Sequence, residues 1–210
     1  MSPSNRVKIT AYIVTGAWSA VILIAGIKLP GTASKVLGVA PSVIVVLFAI
    51  FDNWLWHVGP IKRLVKRPDL NGTWKGTLTS LRADGGGQEI THAPIPIFLV
   101  IRQSYLDLSV TLLSQESRSR SIAGLVQVNH PDDFTVYYHY TNEPVLSFRD
   151  RSPAHSGGAK LDIAGVAPLS LDGEYWTNRR TRGIFTAKRA SNKRYGTYAE
   201  ASAALDGGGN

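Results

Sequence analysis

Two long apolar runs near the N-terminus constrain this chain more than any other feature. The first, Ile9 to Leu29, carries a single charge, Lys28, and the second, about Val36 to Val58, carries only Asp52. An α-helix rises about 1.5 Å per residue, so roughly 20 apolar residues cross the hydrocarbon core of a bilayer. Both runs are long enough, and the sequence therefore predicts a membrane protein with two transmembrane helices.

Charged residues around the two runs predict their orientation. The net charge of the chain is +8, and part of this excess follows the second run directly, at Lys62, Arg63, Lys66 and Arg67. Lysine and arginine beside a transmembrane helix mark its cytoplasmic end, and Arg6 and Lys8 place the N-terminus on the same side. We expect residues 1–67 to form a transmembrane helical hairpin with a basic linker, and both chain termini to be cytoplasmic.

The sequence offers no motif for catalysis or metal binding. It contains no cysteine, and its five histidines are scattered without metal-ligand spacing. Gly85 to Gly87 lack the lysine and the serine or threonine of a phosphate-binding loop, so we interpret them as a flexible turn. We expect no enzymatic activity, no catalytic residue, no metal and no cofactor.

The rest of the chain has the pattern of an all-β domain. Short β-branched and aromatic stretches, separated by Gly, Asn, Asp and Pro, continue from Leu70 to Arg189. In Gly72 to Leu81, small or apolar residues alternate with polar ones, which indicates a strand with one buried face. About eight strands are expected, and eight antiparallel strands close readily into a small β-barrel.

Three segments of this domain lack the strand pattern. Asp150 to Gly158 is expected to be the least ordered internal loop, and a turn near Asn178 to Arg180 should join the last two strands. After Arg194 the residues are small and polar, which indicates a tail. The predicted organisation is a hairpin at residues 1–67, a cytoplasmic β-barrel at residues 68–195 and a flexible tail at residues 196–210.

Two features of the apolar runs admit more than one interpretation. Asp52 lies in an aromatic segment, residues 52–57, whose composition is typical of a membrane interface and places the carboxylate near the lipid headgroups. The alternative is a polar seam between neighbouring protomers, formed by Asp52 and Asn53. Gly16 and Ala20 have the spacing that lets two helices approach closely, although this spacing is frequent by chance.

A cluster on the late strands is the best candidate for a binding site. Its aromatic and basic members are Tyr137, Tyr138, Tyr140, Tyr175, Trp176, Arg179, Arg180 and Arg182. Aromatic faces stack on rings and guanidinium groups bind phosphate oxygens, so the combination suits a ligand that has both. The alternative is ordinary barrel packing with solvated arginines. Trp74 is expected to pack at one barrel end with an arginine of the last strand, an arrangement similar to that of lipocalins.

Two motifs, one at each end of the β domain, resemble those of a known family. They are Pro68-Asp69-Leu70-Asn71-Gly72-Thr73-Trp74-Lys75-Gly76 and Leu171-Asp172-Gly173-Glu174-Tyr175-Trp176-Thr177-Asn178-Arg179-Arg180-Thr181-Arg182-Gly183. With the two predicted transmembrane helices, they are similar to the membrane-spanning β-barrel effectors of bacterial cyclic-oligonucleotide antiphage signalling (CBASS). These effectors are CD-NTase-associated proteins with two transmembrane helices and a minimal STING-like sensing barrel.

The resemblance implies an antiphage defence effector that is not an enzyme. A partner nucleotidyltransferase (CD-NTase) would make a cyclic dinucleotide, and the barrel would bind it. Protomers would then oligomerise and disrupt the bacterial inner membrane, which kills the infected cell. The implied partners are the cyclic dinucleotide, the lipid bilayer and further copies of the chain, with no nucleic-acid polymer.

Strand alternation selects the ligand contacts within the late-strand cluster. Tyr175 and Thr177 share one face with Arg179, while Trp176 lies on the other face. The predicted ligand-binding residues are Tyr138, Tyr140, Tyr175, Thr177, Arg179 and Thr181. The alternative function is a membrane-anchored, lipocalin-like barrel that binds lipid or another small apolar ligand. Such a carrier would need a continuous apolar lumen, whereas these late strands supply Tyr, Thr and Arg.

Overall fold

A computed structural model of the 210-residue chain describes residues 9, 12–13, 15–20, 43–83 and 89–207. Within these residues, no helix combines the length and the apolar character that crossing a membrane requires. The predicted transmembrane runs, Ile9 to Leu29 and Val36 to Val58, include positions outside the described residues. Their insertion in a bilayer therefore stays a prediction.

The chain divides into two compact units, of which the first comprises Met1–Val65 and Ser104–Asp107. In this unit residues 43–53 are helical, and they are followed by the 3₁₀ turn Leu55–His57 and the short helix Gly59–Val65. Asp52 is fully buried here. Its Oδ1 accepts hydrogen bonds from the Ser104 hydroxyl at 3.0 Å and from the Leu106 N–H at 2.8 Å. Asp52 thus has a local structural role that neither sequence interpretation included.

The second unit, Lys66–Gln103 with Leu108–Asn210, contains nine described strands. They are β1 (Gly72–Ala83), β2 (Glu89–Thr91), β3 (Ile95–Gln103), β4 (Leu108–Leu113), β5 (Ser117–His130), β6 (Asp133–Pro144), β7 (His155–Ala164), β8 (Ser170–Thr177) and β9 (Thr181–Ser191). Neighbours pair antiparallel in the order β2-β1-β3-β4-β5-β6-β7-β8-β9, and β9 also pairs with β1. The last pairing closes β1 and β3–β9 into an eight-stranded barrel, which confirms the predicted fold of this domain. Among the described strands, β2 pairs with the end of β1 alone.

Inward side chains of the barrel form an apolar core. The fully buried members include Ile97, Leu99, Ile101, Phe134, Val136, Leu161, Leu171 and Phe185. Successive side chains of a strand point to opposite faces. The core residues of β7 and β9 therefore alternate with exposed or half-buried ones, whereas those of β3 alternate with Phe98 and Val100, which are buried in a second cluster. The core therefore follows from the alternation that the sequence shows.

Trp74 and Arg189 close one end of this core. The Arg189 guanidinium lies over the Trp74 ring, 4.6 Å from its centroid, a favourable cation–π position. The indole N–H of Trp74 donates to the Leu70 carbonyl at 3.0 Å. Arg189 also donates to the carbonyl of Asn71 at 2.8 Å and to that of Asp69. The packing role expected for Trp74 is thus confirmed.

Two segments differ from the sequence predictions. Strand β7 begins at His155, so the predicted loop Asp150 to Gly158 is correct only up to residue 154. The expected flexible tail at residues 196–210 is corrected by a helix at Tyr198–Leu205. Residues 208–210 lie outside the described part of the chain.

The C-terminal helix forms because its first turn is capped and one face has an apolar partner. The Thr197 hydroxyl accepts a hydrogen bond from the Glu200 N–H at 3.2 Å, and the Glu200 carboxylate accepts one from the Gly196 N–H at 2.9 Å. This reciprocal arrangement is close to a capping box. Ala201 is fully buried in an outer cluster that also contains Phe98 and Val100 of β3. Capping and burial together order a segment whose composition alone indicates a tail.

Candidate ligand-binding site

A cavity lies at the barrel end opposite Trp74, where the strand pairing brings together Ser80, Asn142 and His155. Its inner chamber has a volume of about 230 Å³, and an adjoining outer mouth measures about 440 Å³. The chamber and the mouth share the lining residues Leu78, Ser80, Ile95, Glu116, Ser152, His155 and Tyr175. Ligand pockets for molecules of drug size usually measure roughly 300–1,000 Å³, so the two compartments together offer space of that order.

Tyrosine rings form much of the wall of the inner chamber. The rings of Tyr138 and Tyr140 lie 6.1 Å apart, tilted by 50°, and the Tyr175 hydroxyl is hydrogen-bonded to the Ser80 hydroxyl at 2.5 Å. The Tyr140 ring can lie against β7 because residue 157 is glycine: a Cβ there would come within 2.7 Å of the tyrosine hydroxyl oxygen. The shape of the chamber thus depends on both aromatic and glycine positions.

Strand β6 presents a row of three polar groups to the chamber. Tyr138, Tyr140 and Asn142 occupy alternate positions, and each side chain is exposed by only 6%. Burial raises the pKa of both tyrosines, and the neighbouring tyrosine raises it further in each case, so both hydroxyls keep their protons at neutral pH. Within the described part of the chain, the two tyrosine hydroxyls and the Asn142 amide nitrogen have no hydrogen-bond partner. These groups can therefore serve a bound molecule.

The turn between β8 and β9 places Arg179 at the mouth. The Thr177 hydroxyl accepts hydrogen bonds from the N–H groups of Arg179 and Thr181 and donates one to the Thr181 carbonyl, each at 3.2 Å. These bonds fix the backbone of the turn, in which Arg180 takes a left-handed conformation with φ of 57°. Arg180 is exposed, whereas Arg179 lines the mouth, so the turn separates two adjacent arginines that could not both point inward along a strand.

Neutral groups hold the Arg179 guanidinium. Its Nη1 donates to the Ser152 hydroxyl at 3.3 Å and to the Pro153 carbonyl at 3.2 Å, and it lies 3.4 Å from His155 Nδ1. Among the described residues that line the cavity, Glu116 is the only acidic one, and it forms an ion pair with Arg151 at 2.5 Å. Arg179 has no carboxylate partner in the described part of the chain, so its charge is available to an anion.

His155 adds a titratable group to the mouth. Burial lowers the pKa of its imidazole, the bond to the Pro153 carbonyl raises it in part, and the positive charge of Arg179 lowers it further. The net direction is downward, so the ring is neutral at pH 7. A phosphate beside Arg179 would oppose this shift because an opposite charge favours the protonated form.

The structure brings all six sequence-predicted residues to this cavity. Tyr138 and Tyr140 lie in the inner chamber, Tyr175 lies between chamber and mouth, and Thr177, Arg179 and Thr181 line the mouth. The other members of the late-strand cluster, Tyr137, Trp176, Arg180 and Arg182, are exposed on the outside of the barrel. Strand alternation therefore divides the cluster between the two faces.

Several lining residues were missed by sequence reasoning, among them Ser80, Asn142, Ser152 and His155. A signal for His155 exists: the inward series Ile163, Leu161, Ala159 and Gly157 continues backward to it in steps of two. The expected disorder of residues 150–158 concealed this continuation. Asn142 likewise continues the inward series of Tyr138 and Tyr140 along β6.

Comparison with known proteins identifies relatives of this barrel. The model of one family, the Cap15 cyclic dinucleotide receptor domain, matches residues 65–189, which include every lining residue named above. The CD-NTase-associated protein 15 of Staphylococcus schleiferi is 24% identical over 139 residues, which are 66% of this chain and 70% of that protein. Both matches confirm the resemblance found in the sequence. A redesigned β-barrel structure is 16% identical, and the match covers 57% of this chain and 90% of that barrel with a TM-score of 0.36.

Proposed function

The chain belongs to the Cap15 cyclic dinucleotide receptor family, and from this premise we propose that its barrel is the sensor of a CBASS effector and binds a cyclic dinucleotide. The observation that carries the proposal is Arg179, a cation held by neutral groups at the mouth of a tyrosine-walled cavity. A cyclic dinucleotide has two phosphates and two flat bases, which match a guanidinium and aromatic rings in chemistry.

The two compartments would hold different parts of such a ligand. A phosphate at the mouth would lie beside Arg179, and guanidinium groups bind phosphate oxygens through paired hydrogen bonds. The bases would face the rings of Tyr138, Tyr140 and Tyr175, whose faces accept stacking by any base. The protonated tyrosine hydroxyls would supply donors to polar atoms of the ligand.

A lipid or other apolar ligand fits the cavity less well. Its wall carries the Tyr138 and Tyr140 hydroxyls and the Asn142 amide nitrogen, and an apolar chain would leave these groups without partners. Leaving a buried polar group unpaired costs about 1–3 kcal/mol, so each group disfavours an apolar occupant. The polar wall therefore favours a cyclic dinucleotide over the apolar ligand of a lipocalin-like carrier.

The proposed response to the ligand is assembly and damage to the bacterial inner membrane. The two predicted transmembrane helices and the basic residues after them are the features that would place the chain there, with the barrel in the cytoplasm. A ligand that binds the assembled state more tightly shifts the population toward it, and assembly concentrates the helices in one patch. The cyclic dinucleotide would come from a partner CD-NTase, so that infection leads to death of the host cell without enzymatic activity of this chain.

Thermal unfolding of the full-length protein in detergent tests the proposed ligand. Cyclic dinucleotides of several base compositions form the main series, and a linear dinucleotide and a fatty acid form the comparison series. A ligand present at about 100 times its Kd should stabilise the protein by about 2.7 kcal/mol. Stabilisation by the fatty acid but by none of the cyclic dinucleotides would exclude the proposal in favour of a lipid carrier.

Release of a trapped dye from liposomes tests the proposed response. Liposomes that contain the protein should retain dye until cyclic dinucleotide is added, and light scattering of the detergent-solubilised protein should report larger assemblies under the same conditions. If the protein binds the ligand but causes neither leakage nor assembly, it is a receptor alone, and the effector mechanism is excluded.

A further inference from the structure

The inner chamber accepts only part of a cyclic dinucleotide. Its volume of about 230 Å³ lies below the roughly 300–1,000 Å³ that whole ligands of drug size occupy, whereas the mouth is larger and holds the cationic side chain. The charged phosphates belong at the mouth because Arg179 lies there. The group that enters the chamber is therefore a flat, uncharged end of the ligand, which in a cyclic dinucleotide is a base.

Asn142 lies on the wall of this chamber with a defined orientation. Its Oδ1 accepts a hydrogen bond from the Ser119 hydroxyl at 2.8 Å, and its amide nitrogen lies on the side away from Ser119. The side chain is 94% buried, and its Nδ2 has no partner among the described residues of the chain. An amide nitrogen offers two N–H donors and no acceptor, so Asn142 presents a donor to whatever fills the chamber.

Building on the proposed function, we infer that the inner chamber receives one nucleobase and that Asn142 selects a base with a carbonyl at purine C6 or pyrimidine C4, guanine or uracil, over adenine or cytosine, which carry an amine at that position. A carbonyl accepts the amide N–H. An exocyclic amine at the same place would oppose donor to donor and leave both groups without a partner in a buried site. The tyrosine hydroxyls cannot make this distinction because a hydroxyl both donates and accepts.

Calorimetric titration of the full-length protein in detergent with cyclic di-GMP, cyclic di-UMP and cyclic di-AMP tests the inference. The wild type should bind one of the two carbonyl-bearing ligands about 10-fold or more tightly than cyclic di-AMP, since one good base contact provides discrimination of this order. Asn142→Leu, which keeps the branched shape but lacks the donor, should bring the affinities within about threefold of each other. Asn178→Leu, at the exposed turn, makes the same substitution outside the cavity and should keep the wild-type ratio.

A second variant keeps the inference testable if Asn142→Leu does not fold. Ser119→Ala removes the hydroxyl that orients the amide while Asn142 stays in place, so the preference should weaken and the melting temperature should change little. Wild-type protein that binds none of the three ligands overturns both the proposed function and this inference. Wild-type protein that binds all three equally, or variants of Asn142 and Ser119 that keep the wild-type preference, overturn the inference alone.

Discussion

Replacement of Arg179 by glutamine is the sharpest test of the cavity. The substitution removes the one described cation at the mouth that has no carboxylate partner, while glutamine retains a polar side chain that is shorter and uncharged. Hydrogen bonds to charged groups contribute about 1.5–3 kcal/mol, and each 1.4 kcal/mol changes an affinity by a factor of about 10. We therefore expect the Kd for the best cyclic dinucleotide to rise by about 10- to 150-fold.

The neighbouring arginine provides a matched control for this test. Arg180 is next in sequence and carries the same charge, but it is exposed and does not line the cavity. Arg180→Gln changes the net charge by the same amount, so it reports the effect of the overall field without the local contact. Its Kd should stay within about twofold of the wild type at 150 mM salt because exposed charges are screened over about 8 Å.

Calorimetry gives the two affinities, and thermal unfolding without ligand checks the fold. Arg179 also donates to Ser152 and Pro153, so its loss should destabilise the free protein by about 0.5–1.5 kcal/mol, the usual net contribution of an ordinary hydrogen bond. An Arg179→Gln protein that folds and binds as tightly as Arg180→Gln would refute the assignment of the phosphate to the mouth.

Two further predictions concern pH and the closed end of the barrel. Burial lowers the pKa of His155 below the usual value of 6.5, so the free protein should lose stability as pH falls below about 6.5. A bound phosphate should favour the protonated ring, so the affinity for the ligand should rise over the same pH range. His155→Gln should remove the first trend, measured by urea unfolding, and the second, measured by calorimetry. Arg189→Ala removes the cation–π contact with Trp74 and the hydrogen bonds to Asn71 and Asp69. It should destabilise the protein by about 2–4 kcal/mol in urea unfolding, while the ligand affinity of the folded protein stays unchanged. An unchanged stability would contradict the role assigned to Trp74 and Arg189.

The barrel could be predicted from the sequence because alternation is a local property. The predicted strand Gly72 to Leu81 lies within β1, which begins at the same residue, and the turn predicted near Asn178 to Arg180 joins β8 to β9. The inward direction of Tyr138 and Tyr140 likewise follows from the period of two along β6. Each of these results depends on neighbours in sequence.

The contacts that build the site depend instead on residues distant in sequence. Asn142 meets Ser119 through the pairing of β5 with β6, and Arg179 reaches Ser152 across the mouth. No local pattern contains these pairings, which explains why Asn142 and His155 were missed. The C-terminal helix is a different case, because Thr197 and Glu200 carry a readable cap signal that the small, polar composition of the segment outweighed.

The distribution of polar groups along the barrel bears on whether it senses or carries its ligand. At the end closed by Trp74, apolar side chains fill the interior and polar groups have partners, as the bonds of Arg189 show. At the open end, Tyr138, Tyr140 and Asn142 keep donors that the described residues do not satisfy. Because these donors face the cavity, a ligand that displaces water from them keeps their hydrogen bonds only when its acceptors match their positions. A carrier of varied apolar molecules gains nothing from such a wall, whereas a receptor that must answer to one messenger gains its selectivity from it.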